Sequence, residues 1–261
     1  MSHGAAPARP PNDAPTRRTL AAVGLAIAVA VCLPDLFGVA SGSELAQTLW
    51  YAAMAMVAPA LIVLGASRSL VAARDAFVAR LGGRRAGGVT EHHSRFGSRF
   101  PAAVVLVADL VAIACWRTPA FVNALANHPV LVLAEATTLV LAGVLLWLEL
   151  VDLPARVSRS PRPRRAVLAA LAMWTVWTLA YLGGMSSTGW YDAFHHVAGV
   201  GLSAAADRQV SAAALWAVAA VVFMPVVFWN LAQWLRAESG TKDQPLGAGR
   251  DRRAFDPLDA T

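Results

Sequence analysis

The chain alternates between long apolar runs and shorter polar segments that are rich in arginine. Six runs have the length and composition of candidate membrane spans: Thr19–Phe37, Leu45–Leu64, Pro101–Trp116, Pro129–Val151, Ala166–Met185 and Val210–Leu235. A helix needs about 20 apolar residues to cross the hydrocarbon core of a bilayer. The third run is shorter and contains Asp109. The pattern predicts an all-α polytopic membrane protein, with a bundle of six transmembrane helices over residues 18–236.

Composition supports a membrane protein and argues against a soluble one. Hydrophobic residues make up 57% of the chain and charged residues 15%, with a mean hydropathy of +0.52. A soluble domain carries about 25% charged residues. The formal charge is +6, but the basic residues lie between apolar runs. The positive charge therefore indicates how the protein is oriented in a lipid bilayer. It is not taken as a sign of nucleic-acid binding.

The distribution of basic residues predicts the orientation of the bundle. Of the 22 lysines and arginines, 20 lie in the two tails, the second loop and the fourth loop. The alternate loops contain only Arg117 and Arg208. Because cytoplasmic loops of membrane proteins are enriched in basic residues, both termini and the loop at residues 67–99 are predicted to be cytoplasmic.

The terminal segments have more than one interpretation. Residues 1–17 and 237–261 are rich in proline, glycine and charge, a composition that predicts disorder. Within residues 1–40, the arginine pair and the apolar stretch ending in Gly38-Val39-Ala40 also match a cleaved signal peptide. The segment Ser69–Leu81 is either an amphipathic helix on the inner membrane surface or a solvated connector.

Ionisable residues inside spans are costly and therefore mark candidate functional positions. Asp109 and Glu135 lie within predicted spans, and Glu44 lies at the outer edge of one. The outer loop between the fifth and sixth spans begins at Met185 and contains His195 and His196. Adjacent histidines point to different sides of a helix, so the pair is a weak metal signal. The sequence offers no nucleophile, base and orienting group at a plausible spacing, which predicts that the protein is not an enzyme.

Three segments together resemble the polytopic CtaG family of cytochrome c oxidase assembly proteins. The segment from 116 to 147 keeps the family positions Trp116, Pro119, Glu135, Ala142, Gly143 and Trp147. The segment AQTLWYAAMAMVAPALIVLGA keeps Gln47, Ala58, Pro59, Leu61, Leu64 and Gly65. The segment DRQVSAAALW keeps Asp207, Gln209 and Trp216. The three segments occur in the family's order and spacing.

The chain departs from the family at its histidines. The positions at which the resemblance expects imidazoles are Glu44, Thr48, Arg117, Val132 and Ala136. Histidines four apart on a helix chelate a metal because their side chains lie one turn apart. Valine and alanine carry no donor atom. Glu135 is then the remaining acid of this cluster, with Arg117, Thr137, Thr138 or polar groups of a neighbouring span as its candidate partners.

The resemblance implies an assembly factor for a haem-copper oxidase in the bacterial plasma (inner) membrane. Such a factor would bind an assembling oxidase subunit or a copper donor. A replacement copper site in the outer loop would use His195, His196 and Met185. The alternative from another class is a small transporter or a protein that conducts ions or protons through Asp109 and Glu135. The candidate functional residues are Glu44, Gln47, Pro59, Asp109, Arg117, Pro119, Glu135, Asp207 and Gln209.

The arginine distribution generates the first testable prediction. Reporter fusions after Arg253 are expected to show a cytoplasmic location, and fusions near Ser187 a periplasmic one. Enzymatic reporters that are active on only one side of the membrane measure both locations. Opposite locations for the two tails would require an odd number of spans and would contradict the six-helix topology.

Overall fold

The computed structural model describes residues 14–33, 42–82, 102–128, 130–151, 161–185, 191 and 203–242. Every regular element in these ranges is helical, which confirms the all-α prediction for the described part of the chain. The elements are α1 (Ala14–Ala30), α2 (Glu44–Ala52), a π-helical turn (Ala53–Val57), α3 (Ala58–Gly82), α4 (Ala102–Trp116), α5 (Pro119–Asn127), α6 (Leu131–Leu150), α7 (Arg162–Met185) and α8 (Ala204–Lys242).

Four stretches of helix are long and apolar enough to cross a membrane: Glu44–Ala66, Leu131–Leu150, Arg162–Met185 and Ala204–Ser239. Helices α4 and α5 form a pair bent by 64°, which gives a fifth candidate if the pair is one broken span. Helix α1 has 17 residues, so it is about 25 Å long, shorter than a hydrocarbon core of about 30 Å. These helices support a membrane protein, while six spans and cytoplasmic termini remain predictions.

Several predicted features lie largely outside the described residues. Most of the two tails and most of the loop at 67–99 belong to this group, as does Gly38-Val39-Ala40. The segment Ser69–Leu81 is described and is helical within α3. Helix α3 breaks at Ala66, whose backbone (φ −105°, ψ 19°) is not helical. The candidate span ends at this residue, and the position of Ser69–Leu81 relative to the membrane surface stays a prediction.

The π-helical turn adapts the second span to Pro59. Proline has no N–H group, so the carbonyl of Ala55 loses its usual helical donor. Just before Pro59, the N–H of Ala58 donates to the carbonyl of Ala53, five residues earlier. The wider turn of a π-helix accommodates such an interruption without ending the helix. The span therefore continues through the proline.

Glycines allow close contact between helix backbones at two places. A Cβ atom on Gly143 would lie 2.7 Å from Cγ of Pro59, so α6 and α3 meet only because position 143 has no side chain. A Cβ atom on Gly65 would overlap the backbone nitrogen of Ala21. Small residues at such crossings are typical of helix packing in membranes. The two contacts hold α1, α3 and α6 together.

Aromatic contacts join the remaining helices to this core. The rings of Trp147 and Phe223 are stacked with centroids 5.8 Å apart, which packs α6 against α8. The rings of Trp177 and Trp216 are stacked at 4.8 Å and join α7 to α8. The core is apolar along most of its length. Polar side chains collect at the end where α2 and α8 begin and α4 ends.

Candidate functional site

The candidate site lies at the end of the bundle where α2 and α8 begin and α4 ends. Serine caps define both beginnings: Ser43 Oγ accepts a hydrogen bond from the N–H of Ala46 at 3.0 Å, and Ser203 Oγ accepts one from Ala206 at 3.2 Å. Serine favours this position because its hydroxyl satisfies an N–H group that the helix leaves unpaired. Two helix N-termini are thereby brought to the same end of the bundle.

Asp207 connects these two helix N-termini. It lies in the first turn of α8, and its carboxylate accepts hydrogen bonds from α2, at 2.8 Å from the N–H of Glu44 and 3.2 Å from that of Leu45. The side chain is buried. A carboxylate is stabilised at a helix N-terminus by the unpaired N–H groups and by the helix dipole. Asp207 therefore fixes the position of α2 relative to α8.

Arg117 occupies the centre of the site. It follows α4 in a turn and is only 5% exposed. Its Nη1 donates to Oε1 of Gln47 at 2.7 Å, and its Nη2 donates to Oγ1 of Thr48 at 2.6 Å. Its guanidinium carbon lies 4.6 Å from the centroid of the Tyr51 ring, a cation–π contact. Three side chains from two successive turns of α2 thus surround one buried positive charge.

A chain of hydrogen bonds leads from Arg117 to α8. The oxygens of Thr48 and Ser211 lie 2.5 Å apart, and Ser211 donates to the carbonyl of Glu44 at 3.2 Å. A serine hydroxyl has one hydrogen, so Thr48 donates to Ser211 while it accepts from Arg117. The Thr48 hydroxyl therefore accepts one hydrogen bond, from Arg117, and donates one, to Ser211.

A small cavity lies beside this chain. Its volume is about 20 Å³, and its polar walls are Glu44, Arg117, Tyr191 and Ser211. This volume is enough for one water molecule with several polar partners. Oε2 of Glu44 lies 4.0 Å from Nε of Arg208. The Glu44 carboxylate is thus under the influence of two positive charges, those of Arg117 and Arg208.

Tyr191, between α7 and α8 in the chain, closes the site. Its hydroxyl donates to the carbonyl of Arg117 at 3.1 Å. Burial raises the pKa of the Tyr191 phenol above its ordinary value of 10.0, and Arg117 partly opposes this shift. A raised pKa keeps the hydroxyl protonated at neutral pH. It therefore remains a donor to Arg117.

Glu135 lies on the buried face of α6 and is 1% exposed. Among the described residues, neither of its carboxyl oxygens has a hydrogen-bond partner, although the charge of Arg117 acts on it. The suggested hydrogen bond from Thr138 to this carboxyl is wrong. The Thr138 hydroxyl instead accepts from Nε1 of Trp116 at 2.8 Å and donates to the carbonyl of Ala134 at 2.7 Å. The Trp116 bond satisfies the threonine from outside its own helix.

The structure divides the predicted site residues into two groups. The cluster brings together Glu44, Gln47, Arg117 and Asp207, with Glu135 in electrostatic range. The remaining positions lie elsewhere: Gln209 is exposed on α8, Met185 is 64% exposed at the end of α7, Asp109 is buried in α4, Pro119 begins α5 and Pro59 packs on Gly143. His195 and His196 lie outside the described residues.

Sequence reasoning missed Tyr51 and Ser211 as members of the site, and it noted Tyr191 only as one residue of the loop between the fifth and sixth spans. One signal was available for Ser211: it lies four residues after Asp207, as Thr48 lies four after Glu44. Residues at this spacing share a helix face. Nothing in the local sequence indicates the contact of Tyr191 with Arg117, because 74 residues separate them.

The residues do not fit a copper ion at the positions where the resemblance expects imidazoles. Val132 and Ala136 carry no donor atom, Arg117 is a cation, and Thr48 is committed to the network. Cu(I) prefers thiolate, thioether and imidazole ligands. Within the described ranges, no three histidine, cysteine, aspartate or glutamate side chains are placed to hold a metal.

The cap formed by Asp207 generates the second prediction. Asp207→Ala leaves two N–H groups of α2 without their acceptor, and each buried unpaired group costs about 1–3 kcal/mol. We expect a lower midpoint of thermal unfolding in detergent, and a smaller decrease for Asp207→Asn, which keeps one acceptor. Gln209→Ala is the matched control because Gln209 is exposed on the same helix. Equal midpoints for Asp207→Ala and Gln209→Ala would contradict the role of the cap.

Comparison with known proteins places this architecture in a family. No curated protein and no solved structure matches the chain. A sequence model of the family described as "cytochrome c oxidase caa3 assembly factor" matches residues 3–237, most of the 261-residue chain. The match includes every segment of the resemblance and all residues of the polar cluster. The chain therefore belongs to the family of cytochrome c oxidase caa3 assembly factors.

Proposed function

We propose that this protein assists the assembly of a cytochrome c oxidase by binding an assembling subunit in the membrane, without carrying copper in its polar cluster. The observation that carries the proposal is the position of Arg117. Its guanidinium lies at a position where the resemblance expects a metal ligand, and it is bonded to Gln47 and Thr48. The guanidinium of Arg117 is a cation that belongs to the chain itself, and it occupies the place that a bound metal cation would need.

Electrostatics supports the exclusion of a metal ion from this cluster. Two unit charges about 4 Å apart repel each other by roughly 4 kcal/mol at an effective dielectric constant of about 20. That energy corresponds to roughly a thousandfold loss of affinity. Glu44 offers one carboxylate oxygen pair in compensation, but Arg208 already lies 4.0 Å from it. The direct repulsion by Arg117 therefore disfavours a further cation beside it.

Binding a subunit requires a rigid surface rather than a reactive group. The hydrogen bonds of Arg117 and Asp207 hold the ends of α2, α4 and α8 in one arrangement. Outside this cluster the helices present apolar side chains, among them Trp174 and Phe228, which are exposed. Such side chains pack against neighbouring transmembrane helices through van der Waals contact. The partner is therefore expected to be a membrane-embedded subunit.

Transport is the less favoured function. Asp109 and Glu135 are both buried in helices, and each has a carboxyl oxygen without a hydrogen-bond partner among the described residues. Intramembrane acids of this kind occur in proton and ion pathways. The family match names oxidase assembly, so assembly has the stronger support.

The third prediction concerns metal content. Purified protein loaded with Cu(I) and washed is expected to retain far less than one tightly held copper per chain, because the cluster lacks suitable ligands. The measurement is repeated after changing both His195 and His196 to alanine. Near one tightly held copper that survives these changes would contradict the prediction. Copper that is lost with the two histidines would instead place a site in the outer loop, with Met185 as a further ligand.

The fourth prediction concerns oxidase maturation. Deletion of the gene, in a strain without a second family member, is expected to lower the haem-copper absorbance and the activity of assembled oxidase. The wild-type gene and a variant with His195 and His196 both changed to alanine are expected to restore them equally. Added copper is not expected to restore them, because the proposed defect is in subunit binding.

Two outcomes would count against this proposal in different ways. Unchanged oxidase spectra and activity in the deletion strain at limiting copper would contradict any role in assembly. Restoration by copper alone would support delivery to, or from, a copper donor and would contradict the role in subunit binding.

A further inference from the structure

A large groove lies at the opposite end of the bundle from the polar cluster. Its volume is about 750 Å³, and it is lined by parts of α3, α6, α7 and α8. The walls are apolar over most of their area and include Leu61, Trp147 and Trp229. Pro225, within α8, also lines the groove. The groove is thus an apolar space bounded by membrane-spanning helices.

One end of the groove is polar. There, Nη1 of Arg162 donates to the carbonyl of Gln233 at 3.5 Å, which joins the beginning of α7 to α8. Nδ2 of Asn230 donates to the carbonyl of Val226 at 2.9 Å. All three polar side chains, Arg162, Asn230 and Gln233, line the groove. The apolar walls of the groove therefore end at three side chains that can form hydrogen bonds.

The charge around this polar end is positive. Arg162, Arg164 and Arg165 lie in the first turn of α7, and Arg236 follows Gln233 by three residues on α8. The described acids on these helix ends are Glu149 of α6 and Glu238 of α8, so four positive charges face two negative ones. The arginine distribution assigns this end to the cytoplasmic side, where anionic lipids attract basic residues.

We propose that this groove binds one anionic phospholipid, with its acyl chains along the apolar walls and its phosphate at Arg162. A guanidinium has five N–H donors in a planar fork that suits phosphate oxygens, and Arg162 lines the groove at its polar end. The inference is independent of the proposed role in oxidase assembly. It concerns a ligand of the chain itself.

The size of the groove favours a lipid over a partner helix as its occupant. A helix with its side chains is about 10–12 Å across and rises 1.5 Å per residue. A space of about 750 Å³ would therefore enclose only roughly five residues of helix, less than two turns. Acyl chains are narrower, so they can lie partly in the groove and continue along the apolar helices beside it. An anionic headgroup also matches the net positive charge at the mouth.

Native mass spectrometry of the full-length protein tests this site. The protein is delipidated in mild detergent, and equal amounts of phosphatidylglycerol and phosphatidylcholine are then added. We expect one retained phosphatidylglycerol per chain, and a preference for it that falls roughly tenfold in Arg162→Gln, the effect of losing a hydrogen bond to a charged group. Arg164→Gln is the matched control, because it removes the same charge from the same helix turn outside the groove lining. It is expected to keep the preference.

A second pair of variants tests the apolar walls. Val221→Phe places a larger side chain in the groove lining, and it is expected to reduce retention of both lipids. Val210→Phe, on an exposed position of α8 outside that lining, is expected to leave retention unchanged. Because both valines are exposed, both variants should fold, which thermal unfolding checks.

Three results would overturn the proposal. The first is no preference for phosphatidylglycerol in the wild type. The second is an equal loss of preference in Arg162→Gln and Arg164→Gln, which would indicate diffuse charge rather than a site. The third is a polypeptide, rather than a lipid, retained by the wild type and lost in Val221→Phe when protein is extracted from native membranes.

Discussion

The buried guanidinium of Arg117 is the interaction on which the polar end of this protein depends. A charged group inside a low-dielectric environment must have its donors satisfied, because an unpaired buried charge costs several kcal/mol. Gln47 and Thr48 satisfy two of these donors, and the face of the Tyr51 ring lies against the charge. Their positions on successive turns of α2 mean that this helix can adopt only a narrow range of rotations.

The position of α2 in turn restricts that of α8, because small polar groups bond the two helices together. Thr48 bonds to Ser211, Ser211 bonds to the carbonyl of Glu44, and Asp207 caps the N-terminus of α2. Asp207 thus holds the N-terminus of α2, while Arg117 contacts side chains of its first two turns. Where helices cross away from this cluster, glycines fix their relative positions by allowing close packing, as Gly143 does against Pro59. Polar bonds position the helix ends, and close packing positions their middles.

The same constraint explains how a family member can lack the expected imidazoles and still keep the family's sequence pattern. A cluster of histidines that binds a metal is held together by a mobile cation. In this chain Arg117 supplies a fixed cation to the corresponding place, and Glu44 and Glu135 remain within its electrostatic range. A guanidinium organises hydrogen bonds but has no lone pair to give a metal. The arrangement therefore supports the proposal of a structural and binding role for this cluster.

Much of the architecture was determined by the sequence alone. Hydrophobic runs of about 20 residues specify helices in a membrane for local reasons, so the all-α class and the positions of α6, α7 and α8 follow from the pattern. The motifs around Glu135, Pro59 and Asp207 were sufficient to predict the family, which the match over residues 3–237 confirms. The lack of histidine at the positions where the resemblance expects it was also visible, because the sequence itself gives the donor atoms of each side chain.

Only the tertiary structure decided which of these residues meet. Arg117 contacts Gln47 and Thr48 across about 70 residues of chain, and no local pattern encodes such a distance. The sequence offered Arg117, Thr137, Thr138 or polar groups of a neighbouring span as partners of Glu135. Packing instead joins Thr138 to Trp116, and within the described part of the chain the Glu135 carboxyl has no hydrogen bond. The cap by Asp207 and the groove beside Arg162 likewise arise from the way helices cross. Periodicity shows which face of a helix is apolar, but the rotation and tilt that bring two faces together depend on side-chain fit throughout the bundle.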